Sequence, residues 1–292
     1  MTMWNLTPLA GFDARGHLDT AFANGEVTEV EKDFLMSLYQ QYQTDLGRPS
    51  AAMDGAGQRP DLHNLVYEAY GLVQDNRRLK KLRADLKLLA DYCPYCGFAP
   101  ISDLDHHLQR SRYKLLSIFA LNLVPCCHPC NSGKRQVPSS NPAEHQLHTY
   151  LESVAQFDFL RATVTLHPVR GALEVSYSIE HCVGMSVELH QRLQNHLKEF
   201  DLHSKYAKQV NIHLSEQLFA LTMAFEGGAH VLRNYLNGTA EAHKENFGVN
   251  DWRTALFRGL AACDDFCNGG FKKALGKKTA NVEAVPQQAT VA

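Results

Sequence analysis

Two short repeats constrain this chain more than any other feature: Cys93-Pro94-Tyr95-Cys96 and Cys127-His128-Pro129-Cys130. Each Cys-x-x-Cys presents two sulfurs from one tight turn, and two such turns close a tetrahedral site suited to Zn²⁺. A pair of disulfides is a poor alternative in a reducing cytoplasm, and a redox role for one pair leaves the other unexplained. Cys93, Cys96, Cys127 and Cys130 are therefore the expected ligands of a structural zinc. That ion would staple a stretch with too few apolar residues to hold itself. His128 could replace a thiolate only if one cysteine stood idle. Cys126, Cys182, Cys263 and Cys267 are expected to pack as small side chains.

The charge is distributed unevenly around this frame. The 292 residues carry 29 Lys+Arg and 31 Asp+Glu, a net charge of −2, which excludes a uniformly basic nucleic-acid coat. Residues 1–60 are net −4, residues 61–135 net +4, and residues 136–292 net −2. The positive segment includes Arg77, Arg78, Lys80, Lys81, Arg83 and Lys87, which read either as a solvated helix face or as a phosphate-binding rim.

Apolar spacing sets out the rest. Residues 26–46 have helical periodicity, the Gly/Pro-rich 47–60 reads as a linker, and 61–91 reads as one long helix ended by Pro94. Ala162, Val164 and Leu166, then Leu173, Val175, Tyr177 and Ile179, alternate as a β-hairpin. Helices are expected at 186–199, 202–225 and 228–262, and the tail 276–292 has little to bury. At roughly 150 residues per domain the length suggests about two domains. The expected organisation is an N-terminal helical and linker segment (1–60), a basic helix with the cysteine-framed core (61–140), a hairpin and helical region (141–275) and a disordered tail (276–292).

Between the cysteine pairs lie Asp105-His106-His107 and Asn122-Leu-Val-Pro, and Asn131-Ser-Gly-Lys134-Arg135 follows the last cysteine. With CPYCG, DHHLQRSRY and NLVPCCHPCNSGKR in this order, residues 92–136 resemble the HNH nucleases, also called His-Me finger or ββα-metal nucleases. The chemistry suits these residue types. Phosphodiester hydrolysis needs a water deprotonated near neutral pH, which His can do, and a divalent ion to neutralise developing charge. Hard oxygen ligands suit Mg²⁺ or Mn²⁺.

The resemblance implies His106 as general base and Asp105 and Asn131 as holders of the catalytic Mg²⁺ or Mn²⁺. It implies that Asn122 fixes the ββα loop and orients His106. In a second register, used by relatives with a His-His pair, His106 would ligate and His107 would be the base. Many relatives have a proline where this chain has Gln109. Flanking the site, Arg83, Arg110, Arg112, Lys134 and Arg135 are candidate nucleic-acid contacts. The implied fold is α+β: a mainly helical protein with a central zinc-stapled ββα-metal core and a β-hairpin after it.

A wider and weaker similarity, over residues 65–210, is to the HNH proteins of Septu-type anti-phage systems. It implies a DNA-degrading endonuclease working in an oligomeric complex with an ABC/SMC-like ATPase, with residues 1–46 and the C-terminal helices as docking surfaces. A non-catalytic zinc-stapled module that binds nucleic acid or protein, and an RNA-cleaving variant, are the alternatives. The first residues, MTMWNLTPLAGFD, lack the basic start and apolar run of a secretory signal, and no stretch approaches the ~20 apolar residues of a membrane span. A cytoplasmic location away from membranes is expected.

Overall fold

Helix α2 (Glu29–Thr44) shows how local sequence builds the frame around the centre. Thr28 caps it: the Thr28 hydroxyl accepts from the Glu31 amide, and the Glu31 carboxylate accepts from the Thr28 amide, a reciprocal box that satisfies two free donors. Leu35, Leu38, Tyr39 and Tyr42 then recur on one buried face. That face is turned into the molecule. Tyr39 stacks on Phe119 with ring centroids 4.1 Å apart, and its hydroxyl donates to the Leu115 carbonyl at 3.3 Å.

In the computed structural model, which describes residues 4–8, 11–134, 141–167 and 172–275, the protein is mostly helical with two small antiparallel sheets among the described residues. Before α2 comes α1 (Ala14–Ala21), and after it α3 (Pro60–Ala69) and α4 (Lys80–Lys87). The first sheet pairs β1 (Asp103–His106) with β2 (Leu123–Cys126), Asp105 standing opposite Val124, and the short helix α5 (His128–Gly133) follows at once. The second pairs β3 (Leu160–Leu166) with β4 (Leu173–Ile179), where the alternation places a hairpin. Helices α6 (Val187–Glu199), α7 (Leu202–Glu226), α8 (Ala229–Phe247), α9 (Trp252–Ala262) and α10 (Phe271–Leu275) complete the chain.

Three local expectations are corrected. The helix expected over 61–91 is broken: after α3 a 3₁₀ turn covers Tyr70–Val73, and the chain reverses through Asn76, whose φ of 63° is left-handed, before α4 begins. The helix expected over 228–262 stops at Gly248, whose φ of 99° suits only glycine, and restarts at α9, where the Asp251 carboxylate accepts from the Arg253 amide. The linker reading of 47–60 also fails in part, since Ala51–Asp54 form a 3₁₀ turn with Met53 fully buried.

Buried apolar residues form one cluster from Trp4 to Phe271, continuous across residues 60 and 140. Trp4 ties its distant parts together: its amide donates to the Pro94 carbonyl, its indole to the Asn250 carbonyl at 3.2 Å, and its ring packs on His196. The acidic N-terminal segment read as a docking surface thus turns its apolar face into the core. Arg135 and the tail 276–292 lie outside the described residues. No helix among the described residues is long and apolar enough to cross a membrane.

Candidate active site

Both knuckles converge. The ligand atoms of Cys93, Cys96, Cys127 and Cys130 lie within 4.8 Å of one another and all four residues are buried. Sulfurs about 3.8 Å apart are what a tetrahedral ion with Zn–S bonds of about 2.3 Å requires, and Cys96 and Cys127 stand 4.0 Å apart. The donor set and its spacing therefore fit a structural zinc. Burial pushes the Cys93 thiol up, in conflict with the thiolate that a metal ligand must be. A bound cation removes that conflict by holding all four as thiolates. Lys205 on α7 donates to the Cys130 sulfur at 3.7 Å, a positive charge set beside the anionic cluster. His128 is outside it: the ring is exposed, with Nδ1 2.9 Å from Asp103 Oδ2.

Beside this frame, β1, the loop after it and the end of α5 enclose a pocket of about 370 Å³ lined by Tyr70, Leu104, Asp105, His106, Gln109, Arg110, Asn131 and Lys134. Asp105, His106 and Asn131, proposed from sequence as a set, are therefore brought together. A wider hollow between α1 and α4 holds His17, Asp13 and Asp85 but none of this set.

His106 is fixed from two sides. Its Nε2 is 3.0 Å from the Ser117 carbonyl, which can only accept, so Nε2 carries the proton and Nδ1 the lone pair. The Tyr70 ring meets it edge-on, centroids 4.5 Å apart. Burial pulls the His106 pKa down to about 3, outweighing the hydrogen bond to Ser117, so the imidazole is neutral at ordinary pH. His107 does not line the pocket. It is buried with its ring 4.2 Å from that of His148.

Asn122 is fully buried and lies behind the pocket. Its Oδ1 accepts from the Leu108 amide at 2.7 Å and the Tyr42 hydroxyl at 3.1 Å, and its Nδ2 donates to the carbonyls of Leu108 and Leu116. Every hydrogen-bonding position of the amide is used, which pins both ends of the loop between β1 and β2. Behind Tyr42, His148 Nε2 is 2.8 Å from the same hydroxyl, and the backbone amides of Tyr150 and Leu151 donate to His148 Nδ1.

The carboxylates have partners that the spacing did not reveal. Asp105 Oδ2 accepts from the Tyr95 hydroxyl at 2.8 Å and from Lys134 Nζ at 2.6 Å. Asp103, two residues earlier and so on the same strand face, accepts from Asn131 Nδ2 at 3.0 Å. That bond orients the Asn131 amide through its Nδ2. Asp103 was legible only as the i−2 neighbour of Asp105; Tyr95 only as the residue between two ligands.

The expected nucleic-acid contacts separate. Arg110 lies at the pocket rim over the rings of Tyr67 and Tyr70, 4.1 and 5.0 Å from their centroids. Arg112 is half exposed, 3.6 Å from Asp54. Arg83 is mostly covered, directed to Asp75 and the Ser102 carbonyl, and does not line the pocket. Lys134 is turned inward: its ammonium donates to Asp105 and to the carbonyls of His106 and His107, so all three protons are engaged.

Asp105 and Asn131 bring a carboxylate and an amide, both hard oxygen donors, to the lining of one pocket, with the Lys134 ammonium on Asp105 Oδ2. Protein ea31 of Escherichia phage lambda is 25% identical to this chain over 190 residues, 61% of this chain and 64% of that protein, so the chain spans a little under two thirds of the relative's length. No family model matches the chain. No solved structure matches it either.

Proposed function

We propose that this chain is a metal-dependent endonuclease of the HNH kind, hydrolysing DNA phosphodiester bonds with His106 as general base. The observation that carries the reading is the shared pocket of Asp105, His106 and Asn131, in which the Ser117 carbonyl fixes the tautomer of His106. The succession of β1, β2 and α5 around the cysteine frame supports it.

In this reading His106 Nδ1 takes the proton of the attacking water while Nε2–H stays on Ser117, which holds the ring through the transfer. Asp105 and Asn131 would hold a divalent cation, whose part when bound is to offset charge on the phosphate and the departing oxygen. Asp103 keeps the Asn131 carbonyl turned for that task, and Asn122 holds the loop that carries Ser117. Arg110, stacked on two tyrosines, presents a preset guanidinium to a phosphate at the rim.

A plasmid-nicking assay with Mg²⁺ or Mn²⁺ tests this. His106→Ala is expected to lower the rate by about 10²- to 10⁴-fold; cutting at the wild-type rate ends the assignment. A matched RNA in the same assay decides between DNA and RNA. The second reading, a zinc-stapled binding module, is favoured by Lys134, whose ammonium already neutralises Asp105. It predicts DNA binding without cleavage under every divalent ion. The defence role and the ATPase partner extend the proposal on the resemblance alone, and co-purification with the product of a neighbouring ATPase gene is their test.

A further inference from the structure

Tyr95 occupies an unusual position: it is the residue between Pro94 and Cys96 inside the first knuckle, yet its side chain reaches the second centre. Its hydroxyl donates to Asp105 Oδ2 at 2.8 Å, in a buried contact. The ring is held against Phe200, the residue that caps the end of α6, stacked at 4.7 Å with planes 12° apart. Its carbonyl accepts from His196 Nε2 at 2.8 Å. Backbone, ring and hydroxyl are thus each fixed, and the ligands Cys93 and Cys96 flank the residue. From the other knuckle, four residues past Cys130, Lys134 reaches the same oxygen at 2.6 Å. Both hydrogen bonds described for Asp105 therefore come from arms of the cysteine frame.

A carboxylate ligand is as well placed as the groups that hydrogen-bond to it, and such outer partners tune the affinity of the ion it binds. We infer that Tyr95 is a positioning residue: its hydroxyl transmits the geometry of the cysteine frame to Asp105, so that filling the sulfur site sets how tightly the oxygen site takes its divalent ion. The inference rests on the reading of Asp105 as a ligand of the catalytic ion. It gives the sulfur-bound ion a second task beyond stapling the fold. A frame without its ion no longer fixes the Tyr95 backbone on both sides, and Asp105 loses one of its two anchors.

Tyr95→Phe isolates the hydroxyl, because the ring that stacks on Phe200 is retained. The zinc-loaded full-length protein is titrated with Mn²⁺ and the electron paramagnetic resonance signal of the free aquo ion is read. Tyr95→Phe is expected to keep one zinc per chain and to bind Mn²⁺ roughly tenfold more weakly. The Mn²⁺ concentration for half-maximal cleavage should rise by the same factor. A merely structural tyrosine would lower melting temperature without shifting that affinity. If Asp105→Asn weakens Mn²⁺ binding but Tyr95→Phe does not, the inference is overturned and the nuclease reading stands. If Mn²⁺ binding is indifferent to Asp105→Asn, the ligand reading falls and takes the inference with it. Should Tyr95→Phe melt too early to titrate, the cycle with Asp105→Asn decides from unfolding data: non-additive costs support the link, and strict additivity overturns it.

Discussion

The two sheets of this protein are both antiparallel pairs, but they are held in different ways. β3 and β4 pair over seven residues each, and β3 lies against α9 so closely that Gly259 has no room for a side chain beside the Ala162 carbonyl. β1 and β2 pair over four residues each and carry Asp103, Asp105 and His106. Isolated two-stranded pairs are marginal in water. The longer one rests on α9 through apolar contacts; the shorter one, with Leu104, Leu123 and Val124 buried in the core, is also braced by four sulfurs, the Asn122 amide and a tyrosine hydroxyl.

The largest test of that contrast is removal of the frame. Cys130→Ser, or chelation of the metal, removes binding energy on the order of 10 kcal/mol that is also folding energy. Hydrogen exchange is expected to show residues 92–134 losing protection while β3, β4 and α9 keep theirs. Equal loss in both would mean the two sheets are not separately supported. Next is the converse, Gly259→Ala, whose added Cβ would collide with the Ala162 carbonyl and the Val164 side chain. It should cost about 1–3 kcal/mol, read by thermal melting, with metal content unchanged.

The smallest test is acid. Burial pulls His148 down to about 3, so between roughly 6.5 and that value the unfolded chain takes a proton that the folded one refuses. Stability is therefore full above about pH 6.5 and falls as pH drops, by about 2 kcal/mol at pH 5 from this group. His148 supports Tyr42 and through it Asn122, so acid should loosen the β1–β2 side first. Replacing His148 by Gln should flatten the pH slope of the melting temperature; an unchanged slope would assign the acid sensitivity elsewhere.

What could be read from sequence follows the same division. The cysteine frame and the hairpin are written in short-range patterns, spacing of three and of two, and they lie where those patterns put them. The breaks at Asn76 and Gly248 were masked because the apolar periodicity runs on through both, although Gly248 and the cap Asp251 are local stop and start signals. Lys134 was read as a phosphate contact because it flanks the implied site closely in sequence. The carbonyls of His106 and His107 that draw it inward are distant by 28 and 27 residues, and no local pattern records them.

The Tyr95 carbonyl is supported by a histidine 101 residues downstream, and Trp4 by a carbonyl 246 residues away. On a translating ribosome all four cysteines emerge well before either brace has been made. A nascent chain can therefore capture its ion early but completes the docking of the first knuckle only once His196 and Asn250 have emerged.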